Sequence, residues 1–169
     1  MPHPAHSAQL LIAKLDEMKS SNALTLYTPC IILKLPTTDK GNQMTKRFMA
    51  IIIHANDQLA EFVEFDNSQI KPMQDAVGGN LETLTARTPQ GDVTFWANEE
   101  GKLQHLPING AATNVWWILA PEFAQRDFLV GDVIITGGAD HNGDTLSVPK
   151  FVENAFKSAV IGVVIKDER

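Results

Sequence analysis

Asn98-Glu99-Glu100-Gly101-Lys102-Leu103-Gln104-His105-Leu106-Pro107-Ile108-Asn109-Gly110-Ala111-Ala112-Thr113 packs a tight turn, a short extended piece and a capped helix start into sixteen positions. Asn98-Glu99-Glu100-Gly101 reads as a turn in which Gly101 takes a positive φ. Asn109 is placed to cap a helix over residues 110–119, which Pro121 ends. Just upstream, Leu81–Ala86 and Val93–Ala97 read as short strands joined by the tight turn Thr88-Pro89-Gln90-Gly91, so the region forms a meander. Downstream, the apolar run Phe128–Thr136 returns as a strand. Tight turns between strands, without a regular βαβ rhythm, predict an α+β protein: a mainly antiparallel sheet with helices packed on it.

The outer segments fit the same plan. Ser7 can cap a helix over Ala8–Ser20, with Leu11, Leu15 and Met18 at helical spacing. Leu24–Leu35 is extended and interrupted by Pro29, which suits a sheet edge because proline cannot donate to a ladder. Phe48–His54 is apolar at nearly every position, as a central strand covered on both faces should be. Ala55-Asn56-Asp57 turns it into Leu59–Phe65. Asp66-Asn67-Ser68 offers caps for a helix over Gln69–Val77, which Gly78 can close in the left-handed conformation. Gly137–Asp144 is a loop, and residues 150–158 and 161–166 read as a last helix and strand. The expectation is a single domain over 1–169. Its core spans 48–138, with an N-terminal helix and strand over 1–36 and a C-terminal helix and strand over 144–169.

Composition bounds the function. With 169 residues, 44% hydrophobic and 20% charged, the chain can bury one full core. A net charge of −6 argues against a protein that grips nucleic-acid phosphates over a wide basic surface, so direct DNA binding is not expected. The single cysteine, Cys30, excludes an intramolecular disulfide and reads as a small buried apolar residue in a reducing cytoplasm. No run approaches the ~18 apolar residues of a membrane span, and the N-terminus lacks a signal-peptide layout. A cytoplasmic location without membrane contact is expected.

Three ordered motifs stand out: Val77-Gly78-Gly79-Asn80-Leu81-Glu82, then Asn98–Thr113 itself, then Val130-Gly131-Asp132-Val133-Ile134-Ile135. With them, Phe48–Gly138 resembles the domain-of-unknown-function family three-eight-four-six, found mostly in phages, prophages and plasmids. The resemblance implies a mobile-element protein acting in a bacterial cytoplasm. It transfers no catalytic mechanism, so no residue inherits a role from it.

The residues themselves offer one candidate ligand site. An asparagine cap leaves helix N–H groups pointing outward, and Gly110 has no side chain to block approach, a layout that can bind phosphate or carboxylate. A plain N-cap is the structural alternative. Trp117 falls on the polar side of the helical wheel with Gly110, Thr113 and Asn114, and must be covered by a ligand, a partner or the terminal segments of its own chain. Asn109, Gly110, Thr113, Asn114 and Trp117 are therefore the candidate binding residues. No catalytic set, metal site or cofactor is expected. Glu99 and Glu100 point to opposite sides of an extended chain, Asp140–Asp144 only faintly resembles a calcium loop and reads as a mobile surface loop, and His54 and His105 lack partners at zinc spacing.

Three functions compete. The first is a binding protein that sequesters a host small molecule, such as a nucleotide signal, to counter host defence. The second is an interaction factor for a host or phage protein, with Trp117 as its anchor, and the third a nucleotide hydrolase using Glu99, Glu100 or Asp132. A homodimer is expected, because Trp117 and strands apolar on both faces need cover.

Overall fold

The computed structural model describes residues 31–32, 46–56 and 60–156. The helix expected over 8–20, Cys30 with most of the extended run 24–35, and the strand expected over 161–166 lie outside the described residues.

Among the described residues six strands form one sheet in the order β1-β3-β2-β6-β5-β4. They are β1 (Ile31–Ile32), β2 (Arg47–Ile53), β3 (Ala60–Asp66), β4 (Leu81–Ala86), β5 (Val93–Asn98) and β6 (Val133–Gly137). Five pair antiparallel, and β1 adds to the β3 edge in parallel, Ile31 opposite Ala60. The chain is thus α+β with a mainly antiparallel sheet, and among the described strands β1 is at an edge. β2 is central: β3 flanks it on one side and β6 on the other.

Strand alternation divides the core between two faces. Ile51, Ile53, Phe62, Phe95, Val133 and Ile135 share one face with Ala112, Val115 and Trp116 of helix α2 (Gly110–Leu119) and with Val152 and Phe156 of the helical residues 150–156. Phe48, Ala50, Ile52, Phe65 and Ile134 share the other with Met73 and Val77 of the short helix α1 (Lys71–Val77). The doubly apolar pattern of β2 is explained by this two-sided cover. Trp116, which the helical wheel puts at the margin of the apolar face, is only 1% exposed because Phe123 stacks on it at 4.9 Å.

Several local expectations need correction. The apolar run Phe128–Thr136 is not one strand, since β6 begins at Val133 and Val130 makes only an isolated bridge to Ile108. Gly131, at φ +68, turns the backbone out of the extended region between them. α1 begins at Lys71, two residues late, with no side-chain cap; the Asp66 carboxylate instead accepts from the Ser68 N–H and hydroxyl. Gly78 does close α1 left-handed, at φ 76.

Gly101 does not need a positive φ. A Cβ there would lie 2.9 Å from Val130 Cγ2, so the residue is small because the Val130 side chain packs on its backbone. Gly131 combines both demands, since its Cβ would sit 2.8 Å from Leu106 Cδ1. Gly143 is left-handed at φ 87 with nothing within 4 Å, which makes it a control. Both alanine variants should carry the left-handed penalty of about 1–2 kcal/mol. At Gly131 the atom in the way is the movable end of the half-buried Leu106, so Gly131→Ala should lose at most about 1 kcal/mol more than Gly143→Ala, read as a slightly lower midpoint in denaturant unfolding.

Candidate functional site

The predicted ligand site is built around Asn109, which is 0% exposed. Its Oδ1 accepts from Ala112 N at 3.0 Å, so it is the expected helix cap. Its Nδ2 does more, donating to Ile53 O at 2.8 Å and Gly131 O at 2.9 Å. Its backbone N–H donates to Leu129 O and its carbonyl accepts from Thr113 N, both at 2.9 Å. Every hydrogen of this residue that can be donated is used within the chain. Thr113 is also buried, its Oγ1 accepting from Leu129 N at 3.0 Å. Gly110 and Asn114 are half-buried beside them.

Trp117 is half-buried too, packed on the core, with its indole N–H donating to Asp127 O at 2.8 Å. The Asp127 segment that covers it comes from the loop after α2, not from the chain termini. The five candidate residues share one helix, but Asn109 and Thr113 point into the protein while Trp117 reaches the 121–128 loop.

Asp127 joins this helix to a second cluster. Its Oδ1 accepts from Phe128 N and from Lys102 Nζ at 2.5 Å, and the same ammonium lies 5.3 Å from the centre of the Phe128 ring. The Lys102 hydrogen bond is the main force lowering the Asp127 carboxyl below its ordinary range; desolvation opposes it, and the Phe128 N–H and the Lys102 charge add to it. This strap ties the turn after β5 to the loop after α2. Leu103, the residue after Lys102, is 80% exposed, and Phe128, the residue after Asp127, is exposed as well, as is Ile108. Ile108 and Phe128 each precede one partner of the Asn109–Leu129 hydrogen bond. A cleft of about 50 Å³ runs from Lys102 and Phe128 to Glu82 and Leu84 on β4, with Glu99 on its rim. That is well below the ~300–1,000 Å³ of small-molecule pockets.

A wider polar groove of about 530 Å³ lies at the end of α1, lined by Lys71, Gln74, Asp75, Gly78, Gly79, Asn80 and Glu100. Asp75 and Glu100 and the carbonyl end of the helix make it a poor seat for phosphate.

Two clusters escaped sequence reasoning. His54 Nδ1 lies 2.7 Å from Asp132 Oδ2, its Nε2 3.6 Å from Glu61 Oε2, and Asp132 Oδ1 accepts from Ala55 N at 2.9 Å. The signal was the register of the strands: Ile53 pairs with Val133 and Ile52 with Glu61, which brings their neighbours together. The imidazole, set between the two carboxylates, ties the ends of β2, β3 and β6. Of the three hydrolase candidates, Asp132 is therefore engaged with His54, while Glu100 accepts from Gln104 Nε2 at 3.1 Å.

The second cluster replaces the calcium-like loop. Lys46 Nζ lies 2.5 Å from Asp144 and 3.6 Å from Asp140, so an ammonium of the chain itself sits between the carboxylates. The Asp144 hydrogen bond is the main force raising the Lys46 pKa. Desolvation pushes the Asp140 carboxyl up, but the N–H groups of Asn142 and Asp144 with Lys46 outweigh it and hold it low.

Residues 49–160 match the family model described as Domain of unknown function (DUF3846), and the chain belongs to that family. No curated protein matches the chain. No solved structure does either.

Two outcomes test this geometry. Asparagine and aspartate cap helices about equally well. Asn109→Asp should nevertheless cost on the order of 3 kcal/mol or more in denaturant unfolding, because its carboxylate cannot donate to the buried Ile53 and Gly131 carbonyls. The folded Asp127 pKa lies below the ordinary 3.8, so its contribution is complete above that value and lost as pH falls through the folded pKa. The stability advantage of the native chain over Asp127→Asn should hold at neutral pH and close in acid, measured by unfolding across pH.

Proposed function

We propose that this family member is a non-enzymatic accessory protein of a mobile genetic element that acts by binding a host protein. The surface carrying the binding is the one around Leu103, Ile108 and Phe128. The mobile-element setting is what the family resemblance implies. The observation that carries the reading is the pair Leu103 and Phe128: both are exposed, and each directly follows one member of the Lys102–Asp127 strap that ties their two loops together. Single exposed apolar side chains are ordinary, but a group of them held on a rigid frame is the anatomy of a protein-binding anchor.

The small-molecule reading, a nucleotide sequestered at Asn109, Gly110, Thr113, Asn114 and Trp117, has less support. Asn109 and Thr113 spend their polar atoms on the fold, and the Trp117 indole N–H is bonded to Asp127. The hydrolase reading lacks a nucleophile arranged with a base among the described residues.

The test compares the native chain with Leu103→Asp in affinity capture from host lysate, with mass spectrometry of both proteins and small molecules retained. A host protein held by the native chain should be bound about thirtyfold more weakly by Leu103→Asp, the scale of a hot-spot loss. The melting temperature should stay nearly unchanged, because Leu103 is mostly in water. A nucleotide retained equally by both chains, and raising the melting temperature of both, would favour the small-molecule reading instead.

A further inference from the structure

Among the described residues β4 is an edge strand, and its hydrogen-bonding parity can be read from its two ends. Glu99 N donates to Asn80 O at 2.9 Å, and Gly91 N to Thr88 O at 3.1 Å. In the register of β4 with β5, these fall on the same alternation as the pairs Glu82–Ala97, Leu84–Phe95 and Ala86–Val93. Thr85 and Thr94, with their hydroxyls 3.3 Å apart, form one of the intervening pairs, which bring side chains closest. The N–H and C=O groups of Leu81, Thr83 and Thr85 therefore point away from β5, where no other described strand lies.

Proteins usually blunt such an edge with lysine, proline, a bulge or a very short strand. Leu81-Glu82-Thr83-Leu84-Thr85-Ala86 has neither lysine nor proline, carries the single charge of Glu82, and its six residues pair one-to-one with β5 without a bulge.

We infer that the β4 edge pairs antiparallel with β4 of a second copy, joining two sheets into one across a two-fold axis at Leu84. The self-complementarity of the strand selects the occupant. With Leu84 opposite its own copy, the outward-pointing backbone groups of Thr83 meet those of Thr85 in the partner, so the ladder continues. Glu82 then faces Ala86 across the junction, and no like charges stand directly opposite. Leu84 lies half-buried on the core face, where the two leucines extend that face across the axis. A two-fold axis normal to the sheet puts the same face of both copies on one side. The two Lys102–Phe128 clefts, which begin at Glu82 and Leu84, would thereby flank the axis as one surface.

The experiment uses the full chain and two kinds of variant. Light scattering at micromolar concentration should give twice the chain mass. Thr83→Pro removes an N–H that β5 does not use, so it should give a monomer with the native near-ultraviolet circular dichroism. In a directly opposed pair that lacks mutual hydrogen bonds, Cα atoms are about 4.5 Å apart, within disulfide reach. Leu84→Cys, in a Cys30→Ser background, should therefore form a disulfide-linked dimer on mild oxidation, while Thr83→Cys should not. The disulfide reads the register even if the proline variant fails to fold. A monomeric native chain, or a dimer in which Leu84→Cys does not cross-link, would overturn the proposal.

Discussion

The side-chain amide of Asn109 is the constraint on which the rest of this structure depends. It caps the first turn of α2 and, with its two amide hydrogens, holds the carbonyl of Ile53 at the end of β2 and that of Gly131 just before β6. Three segments distant in sequence are thereby joined at one buried point. Leaving either carbonyl without its partner in a site closed to water would cost more than a typical net hydrogen bond contributes, so the geometry has little freedom.

Close backbone approaches extend the clip. Leu106 packs on Gly131 and Val130 on Gly101, while Asn98 lies against Gly79 and donates to Gly78 O at 3.1 Å. These contacts link the Val77–Glu82, Asn98–Thr113 and Val130–Ile135 motifs to one another. The ordered motifs of the chain are thus largely parts of one joint, with Gly79, Gly101 and Gly131 standing where another chain segment occupies the place of a Cβ and Gly78 where the helix closes left-handed. Chemistry is correspondingly displaced to the outside. Leu103, Lys102 and Phe128 are the parts of the same region that the joint leaves on the surface, and the edge of β4 lies beside them.

The charged clusters follow a similar rule. Lys46 between Asp140 and Asp144, Lys102 on Asp127, and His54 between Asp132 and Glu61 each fasten a loop or strand end to another element. All are at least partly exposed, and such pairs contribute modestly to stability in water. Their structural effect is to choose among loop arrangements that the apolar core alone would leave similar in energy.

The sequence by itself determined what depends on near neighbours and on periodicity. Alternation and unbroken apolar runs placed β2 at the centre of an antiparallel sheet, an asparagine before a helical stretch marked the start of α2, and Gly78 marked the end of α1. Each is a local preference that tertiary contacts reinforced. What only the tertiary structure decided is the use of the polar atoms. The same Asn109 that caps a helix is consistent with an open anion site or a buried clip. Two carbonyls 56 and 22 residues away settle the use of its remaining hydrogens. Trp117 found its cover in Asp127, and His54 met Asp132 across 78 residues through strand register. Nothing local specifies such meetings, because a hydrogen-bond partner is chosen by where the chain folds back, and the fold is driven mainly by apolar burial.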